Sequence, residues 1–307
     1  MKKTALGPTV NSRFSGRAGV EDYNKYGYCP NDLMEQSVAR TLEYCYADAA
    51  IARLAAALGH ADDARLFEQH AARYRQLWNP ATQYFHPRDS NGEFSKDFQP
   101  LLLTYLDFQK KFTRAYVEGS ALQWRWAVPQ DPEGLIGLFK DREYFVTELN
   151  EFFAKSVPQV GVVPNAYYWQ GNQPDLFAPF LFNTAGRPDL TQKWVRWILD
   201  KKYGDQANGL DGNDDGGTLS AWYVFAALGF YPVAGTDRYE LASPLFSRAE
   251  VKLGEHRLVI QADNNSAKNV AVRRILLHGQ PLERHFLNHA DIAQGGTLQF
   301  EMGPPLP

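Results

Sequence analysis

Cysteine is nearly absent: Cys29 and Cys45 are the two in 307 residues. They show neither metal-ligand spacing nor a disulfide framework, so they read as a turn thiol and a small buried hydrophobe. An excess of positive charge is also missing. The net charge of -3 argues against nucleic acid or an anionic membrane surface as the main partner. No apolar run is long enough to span a bilayer, so no membrane partner is expected. The seven histidines are scattered, and none has metal-site spacing. No fixed-period repeat, phosphate-cradling glycine loop or Ser/His/Asp elbow appears. The first residues, MKKTALGPTVNSRF, carry two lysines but no apolar core, so they do not make a complete signal peptide.

What is present is a chain long enough for one large domain or two smaller ones, with 44% hydrophobic residues. Aromatic residues make up 14%. They fill large cores, and they also line carbohydrate sites, where ring faces stack on sugar C–H groups. Residues 34–58 repeat apolar positions at helical spacing (Val38, Leu42, Cys45, Ala49, Ala52, Ala56), and Gly59 stops the pattern. A second helix is expected over 62–77, making a hairpin with the first. Further helices are expected around 118–128, 142–153, 177–185, 189–203 and 218–229, with an irregular segment over 100–112. Several of these helices are apolar nearly all round, which suits the inside of a helical array. Consecutive hairpins without self-similarity point to a closed toroid over 1–234. After Pro232 the pattern changes to short strands around 239–243, 249–253, 257–261, 272–277 and 297–301, giving a small β-structured subdomain over 235–307.

One stretch organises the chain. Residues 208–217 crowd glycine and carboxylate, with Asn213, Asp214 and Asp215 at the centre, directly before an almost uncharged helix. Glycines permit left-handed backbone and close approach to a ligand. Acidic groups at a helix start also cap that helix. Taken alone, the loop reads equally as a site or as a helix cap on a solvated turn. Two other polar clusters lie in apolar surroundings: 116–131, with Glu118 and Gln123, and 170–174, with Asn172 and Gln173. Glu118 opposite the acidic loop suggests paired-carboxylate chemistry. Glycoside hydrolysis needs one protonated carboxyl and one ionised carboxylate. The aliphatic and aromatic residues beside Glu118 are expected to surround it, which favours the protonated acid. The plain alternative for Glu118 is a carboxylate that satisfies a helix N-terminus.

At this point a family resemblance enters. GLDGNDDGGTLSAWYVFAALGFYPVAGTDRYELASPLF resembles the signature of glycoside hydrolase family 92, the calcium-dependent exo-α-mannosidases. TLEYCYADAAIARLAAALG, YVEGSALQWRWAVPQDPEGLIGL, GNQPDLFAPFLFNTAGRP and the closing LNHADIAQGGTLQFEMGPPLP resemble further family segments in the right order. The resemblance implies a mainly α fold, a partial (α/α)6 barrel followed by the β tail, and inverting hydrolysis of terminal α-mannosides with Ca2+ assistance. Position by position, it implies Glu118 as general acid, Asp215 as general base and Asp214 as the neighbouring carboxylate. It implies Asn213, Gln123, Trp124 and Asn172 as substrate contacts, and Gln173 and Asn172 as metal ligands. The substrate implied is a mannose-containing glycan, and the location periplasmic or secreted. An inverting pair would lie roughly 6.5–9.5 Å apart.

Some positions depart from the family pattern. Ser120 stands for Asn, Leu122 for Trp, Gln130 for His, Gln173 for Glu, and Leu176-Phe177 for a His pair. Loss of charge at 173 weakens the expected cation site. About eight helices are counted, where a closed barrel of six hairpins needs about twelve. The family's upstream β-sandwich and a further site helix find no match, so the chain is expected to be the C-terminal portion of a longer enzyme. The competing readings are a non-catalytic carbohydrate-binding remnant and another (α/α)6 carbohydrate enzyme, such as a glycoside phosphorylase.

Overall fold

The computed structural model describes residues 1–7, 16–103, 113–161 and 164–305. The expected irregular segment at 100–112 falls mostly outside them. The chain is helix-rich with small sheets and divides into two compact units, Met1–Phe145 with Asn165–Tyr167, and Val146–Pro164 with Tyr168–Pro307.

The first unit is built on the expected hairpin. Helix Ser37–Ala57 buries Val38, Leu42, Cys45, Ala49 and Ala52 of the stripe read from the sequence, while Ala56 is exposed. Gly59 turns the chain at φ +79°, a left-handed conformation that costs other residues more. Helix Ala61–Ala71 returns and buries Ala64 and Phe67. Removing a side chain such as Leu42 or Phe67 from water stabilises the hairpin by about 1.5–3 kcal/mol. The second helix does not run to residue 77 as one α-helix. It tightens into a 3-10 helix at Ala72–Leu77, which buries Tyr74 and Leu77. Trp78–Asn79 then pairs antiparallel with Tyr84–Phe85.

A polar cluster is sealed inside this unit. The Asp48 carboxylate is fully buried and meets Arg17 at 2.7 Å and the Tyr23 hydroxyl at 3.0 Å. His70 Nδ1 lies 3.8 Å from the same carboxylate. Burial demands such pairing, since an unpaired charge here would be costly.

The chain enters the second unit within helix Arg142–Ala154. Residues 177–185 do not form the expected continuous helix. Pro179 sits in a 3-10 turn, Ala178–Phe180, followed by one α-turn, Leu181–Thr184. Helix Pro188–Lys201 opens on its proline, whose missing N–H has no partner to lose there. Helix Thr218–Leu228 ends at Gly229, φ +91°. The strands expected from the sequence all form. The larger sheet orders Arg248–Leu253, His256–Asp263, Gly296–Gly303, Ala271–Leu277 and Gln280–Pro281. Gly296–Gly303 runs parallel to His256–Asp263, and the other neighbours are antiparallel. A three-stranded sheet joins Phe230–Pro232, Arg238–Leu241 and Phe286–Asn288. Alternating residues such as Leu258, Ile260, Leu298 and Phe300 fill one core. Among the described residues, no helix is long and apolar enough to cross a membrane.

Candidate active site

Glu118 belongs to the first unit. Its backbone is left-handed, φ +51°, which is uncommon for a residue with a Cβ. The surrounding chain holds it there. The Trp124 indole N–H donates to the Val117 carbonyl at 2.8 Å, immediately before Glu118. Ser120 caps the short helix Ala121–Trp124 in a reciprocal capping box with Gln123. The expectation of an apolar setting for Glu118 is corrected: the residue is exposed. The apolar side chains near it in sequence turn inward. Ala121, Leu122 and Trp124 are all buried.

Gln123 is fully buried, and its amide is engaged with backbone throughout. Oε1 accepts from Ser120 N–H, and Nε2 donates to the carbonyls of Asn165 and Tyr167 at 3.0 and 2.8 Å. Trp124 is 4% exposed. Both residues hold the Glu118 segment in place, and both N–H groups of the Gln123 amide are taken by backbone carbonyls. The single helical turn replaces the longer helix expected at 118–128.

The acidic loop belongs to the second unit. Asp215, Gly216 and Gly217 are left-handed in succession, φ +49°, +72° and +92°. Gly217 is the N-cap of helix Thr218–Leu228 but offers no side chain. Asp214 supplies what is missing. Its two oxygens accept from Ser220 N–H at 2.9 Å and Ser220 Oγ at 2.7 Å. Those bonds hold the Asp214 carboxyl below its ordinary value. Asp215 is turned the other way and is exposed. Its Oδ2 accepts from Gln173 Nε2 at 2.6 Å. Oδ1 takes no hydrogen bond among the described residues. Asn213 is exposed beside it, whereas Asn172 is 1% exposed under Gln173.

Asp211 was not singled out from the sequence. It is fully buried and forms an ion pair with Lys202 at 3.0 Å. It reads in the sequence as one more loop carboxylate, and the buried lysine nine positions upstream is the sole local signal of its partner.

The described carboxylate, histidine and cysteine side chains do not by themselves make a metal cage. Among the described residues, no group of three His, Cys, Asp or Glu side chains converges. Calcium takes six to eight oxygen ligands. Gln173 turns its nitrogen, not its carbonyl oxygen, toward Asp215.

The sequence profile of the glycosyl hydrolase family 92 catalytic domain matches residues 1–304. The chain belongs to this family. Among solved family 92 structures, an α-mannosidase of Bacteroides thetaiotaomicron in complex with mannoimidazole superposes with a TM-score of 0.87 at 34% identity. That likeness covers 96% of this chain and 39% of the other. A family 92 inverting mannosidase of the same species gives 0.86 at 33% identity, over 98% of this chain and 42% of the other. An uncharacterized secreted glycosidase of Arthroderma benhamiae is 26% identical over 316 residues, 94% of this chain and 39% of that protein. The chain thus spans from 39% to 42% of the length of these relatives.

Proposed function

We propose that this chain forms the C-terminal part of the catalytic region of a periplasmic or secreted inverting α-mannosidase, acting on terminal α-mannosidic bonds of mannose-containing glycans. The observation that carries this reading is Asp215: an exposed carboxylate on a left-handed loop, one oxygen held by Gln173 and the other open. Glu118 gives its proton to the leaving oxygen as the glycosidic bond breaks. Asp215 removes a proton from the water that bonds to the anomeric carbon from the opposite face. The product is β-mannose, and solvent returns both carboxyls to their starting states. Asp214 caps the helix behind Asp215 and keeps the loop open. We further infer that the helical hairpins are part of an (α/α)6 barrel completed by sequence beyond this chain.

The test is hydrolysis of an aryl α-mannoside by the chain alone and by the chain joined to upstream family sequence. Proton NMR of the first sugar released reads the stereochemistry. Glu118→Gln and Asp215→Asn are expected to lower kcat by about a hundredfold or more each. Full activity in both variants would overturn the reading. Binding without turnover is the second reading, favoured by the neutral Gln173 at the site. Retained affinity for mannose with no hydrolysis in the joined protein would establish it.

A further inference from the structure

Beneath the acidic loop lies a buried staple. The Asp211 carboxylate accepts from Gly161 N–H at 2.8 Å, from Gln170 N–H at 3.1 Å and from the Lys202 ammonium at 3.0 Å. Lys202 also donates to the Gln159 carbonyl at 3.2 Å, and its side chain is 1% exposed. Packing leaves no slack between the joined segments. A Cβ on Gly171 would meet the Asp211 carbonyl oxygen at 2.4 Å, and one on Gly212 would meet the Trp169 ring at 2.9 Å. Gln170 extends the network. Its amide accepts from the Tyr168 hydroxyl and donates to the Tyr203 hydroxyl at 2.7 Å, which in turn donates to the Leu219 carbonyl at 2.9 Å. Two arms leave this staple. One runs from Gln170 to Gln173, the other from Asp211 to Asp215, and they meet at the 2.6 Å bond between Gln173 and Asp215.

We propose that Asp211 and Lys202 are positioning residues for the Asp215 carboxylate. They fix the register of the two arms so that Gln173 occupies Oδ2 and Oδ1 is left to take the proton from water. This rests on the reading of Asp215 as general base. A buried ion pair adds little net stability over an apolar pair of the same shape. An apolar pair, however, would leave the N–H groups of Gly161 and Gln170 without their acceptor.

The test is hydrogen exchange by mass spectrometry on the 307-residue chain, with kinetics on the chain joined to upstream family sequence. In Asp211→Asn, exchange rises about tenfold at 169–173 and 212–217, while strands His256–Asp263 and Gly296–Gly303 stay at the wild-type rate. In the same variant, kcat falls about tenfold or more with KM within about twofold. Gln173→Ala then adds little to that loss, although it is costly in the wild type. A rise shared equally by the strands, or no change at 169–173, would overturn the proposal. Should Asp211→Asn not fold, Lys202→Gln removes the ammonium that pairs with Asp211 and carries the same expectation and the same overturning result. An unaltered rate in Asp215→Asn would remove the general base while leaving the exchange result to stand by itself.

Discussion

The side-chain nitrogen of Gln173 donates to Oδ2 of Asp215 across 2.6 Å. A neutral amide here does what a carboxylate could not do alone. It occupies one oxygen of Asp215 without adding charge and leaves the other open. A glutamate at 173 would place two negative charges together, and a cation would then be needed between them.

Replacement of Gln173 separates these roles. A hydrogen bond to a charged group is worth about 1.5–3 kcal/mol, and exposure reduces it, so Gln173→Ala is expected to lower kcat/KM about tenfold. The parent protein is expected to keep its rate in a chelator. Gln173→Glu is expected to lose rate in the chelator and regain it with added calcium, with binding of the ion seen by calorimetry. A glutamate variant as indifferent to chelation as the parent would contradict this account.

Glu118 and Asp215 share an unusual backbone, φ +51° and +49°. Left-handed conformations at residues with a Cβ cost about 1–2 kcal/mol, and glycine is relieved of that cost. Glycine at either position is therefore expected to exceed alanine at the same position in stability by about 1 kcal/mol, read from urea unfolding. All four variants are expected to lose hydrolysis. Equal midpoints for glycine and alanine would show that the loops hold these residues without strain.

The hairpin was legible because Val38, Leu42, Cys45, Ala49 and Ala52 recur at helical spacing and Gly59 interrupts them. The strands were legible because residues such as Leu258 and Ile260 alternate inward. Less legible were places where a distant group decides. Gln123 caps its short helix through Ser120, and its amide reaches the sequence-distant carbonyls of Asn165 and Tyr167. Nothing local in the sequence distinguishes Asp211 from the other loop carboxylates, because its buried partner Lys202 comes from the end of the preceding helix. The family signature marked the paired aspartates but not their division of labour, which depends on Ser220 and Gln173.

That division is testable. Asp214 accepts two hydrogen bonds from Ser220 and anchors the first turn of the helix. Asp214→Asn retains an acceptor, so its rate is expected to fall far less than that of Asp215→Asn. Asp214→Ala and Ser220→Ala are expected to raise amide exchange over 218–222 alike, because each removes the same cap. A rate loss in Asp214→Asn equal to that in Asp215→Asn would show that both carboxylates act on the substrate.

The buried cluster in the first unit makes stability depend on pH. Burial, then the Arg73 and Arg17 cations, push His70 down to about 4 from its ordinary 6.5. The Asp48 carboxylate at 3.8 Å, the Tyr23 ring and the Phe67 ring also face it, and together they leave the imidazole neutral inside. In the unfolded chain this histidine takes a proton below about pH 6.5. Between that pH and about 4, the unfolded state binds more protons than the folded one, so stability is lost as pH falls through this window. Asp48, whose carboxyl burial holds above its usual range, works in the opposite sense. The comparison is therefore made between the parent and His70→Gln, which share it. Urea midpoints at pH 7 and pH 4.5 are expected to draw apart in the parent and to lie closer together in the variant. Equal separations would mean that the imidazole is protonated inside the fold and that the acid sensitivity arises elsewhere.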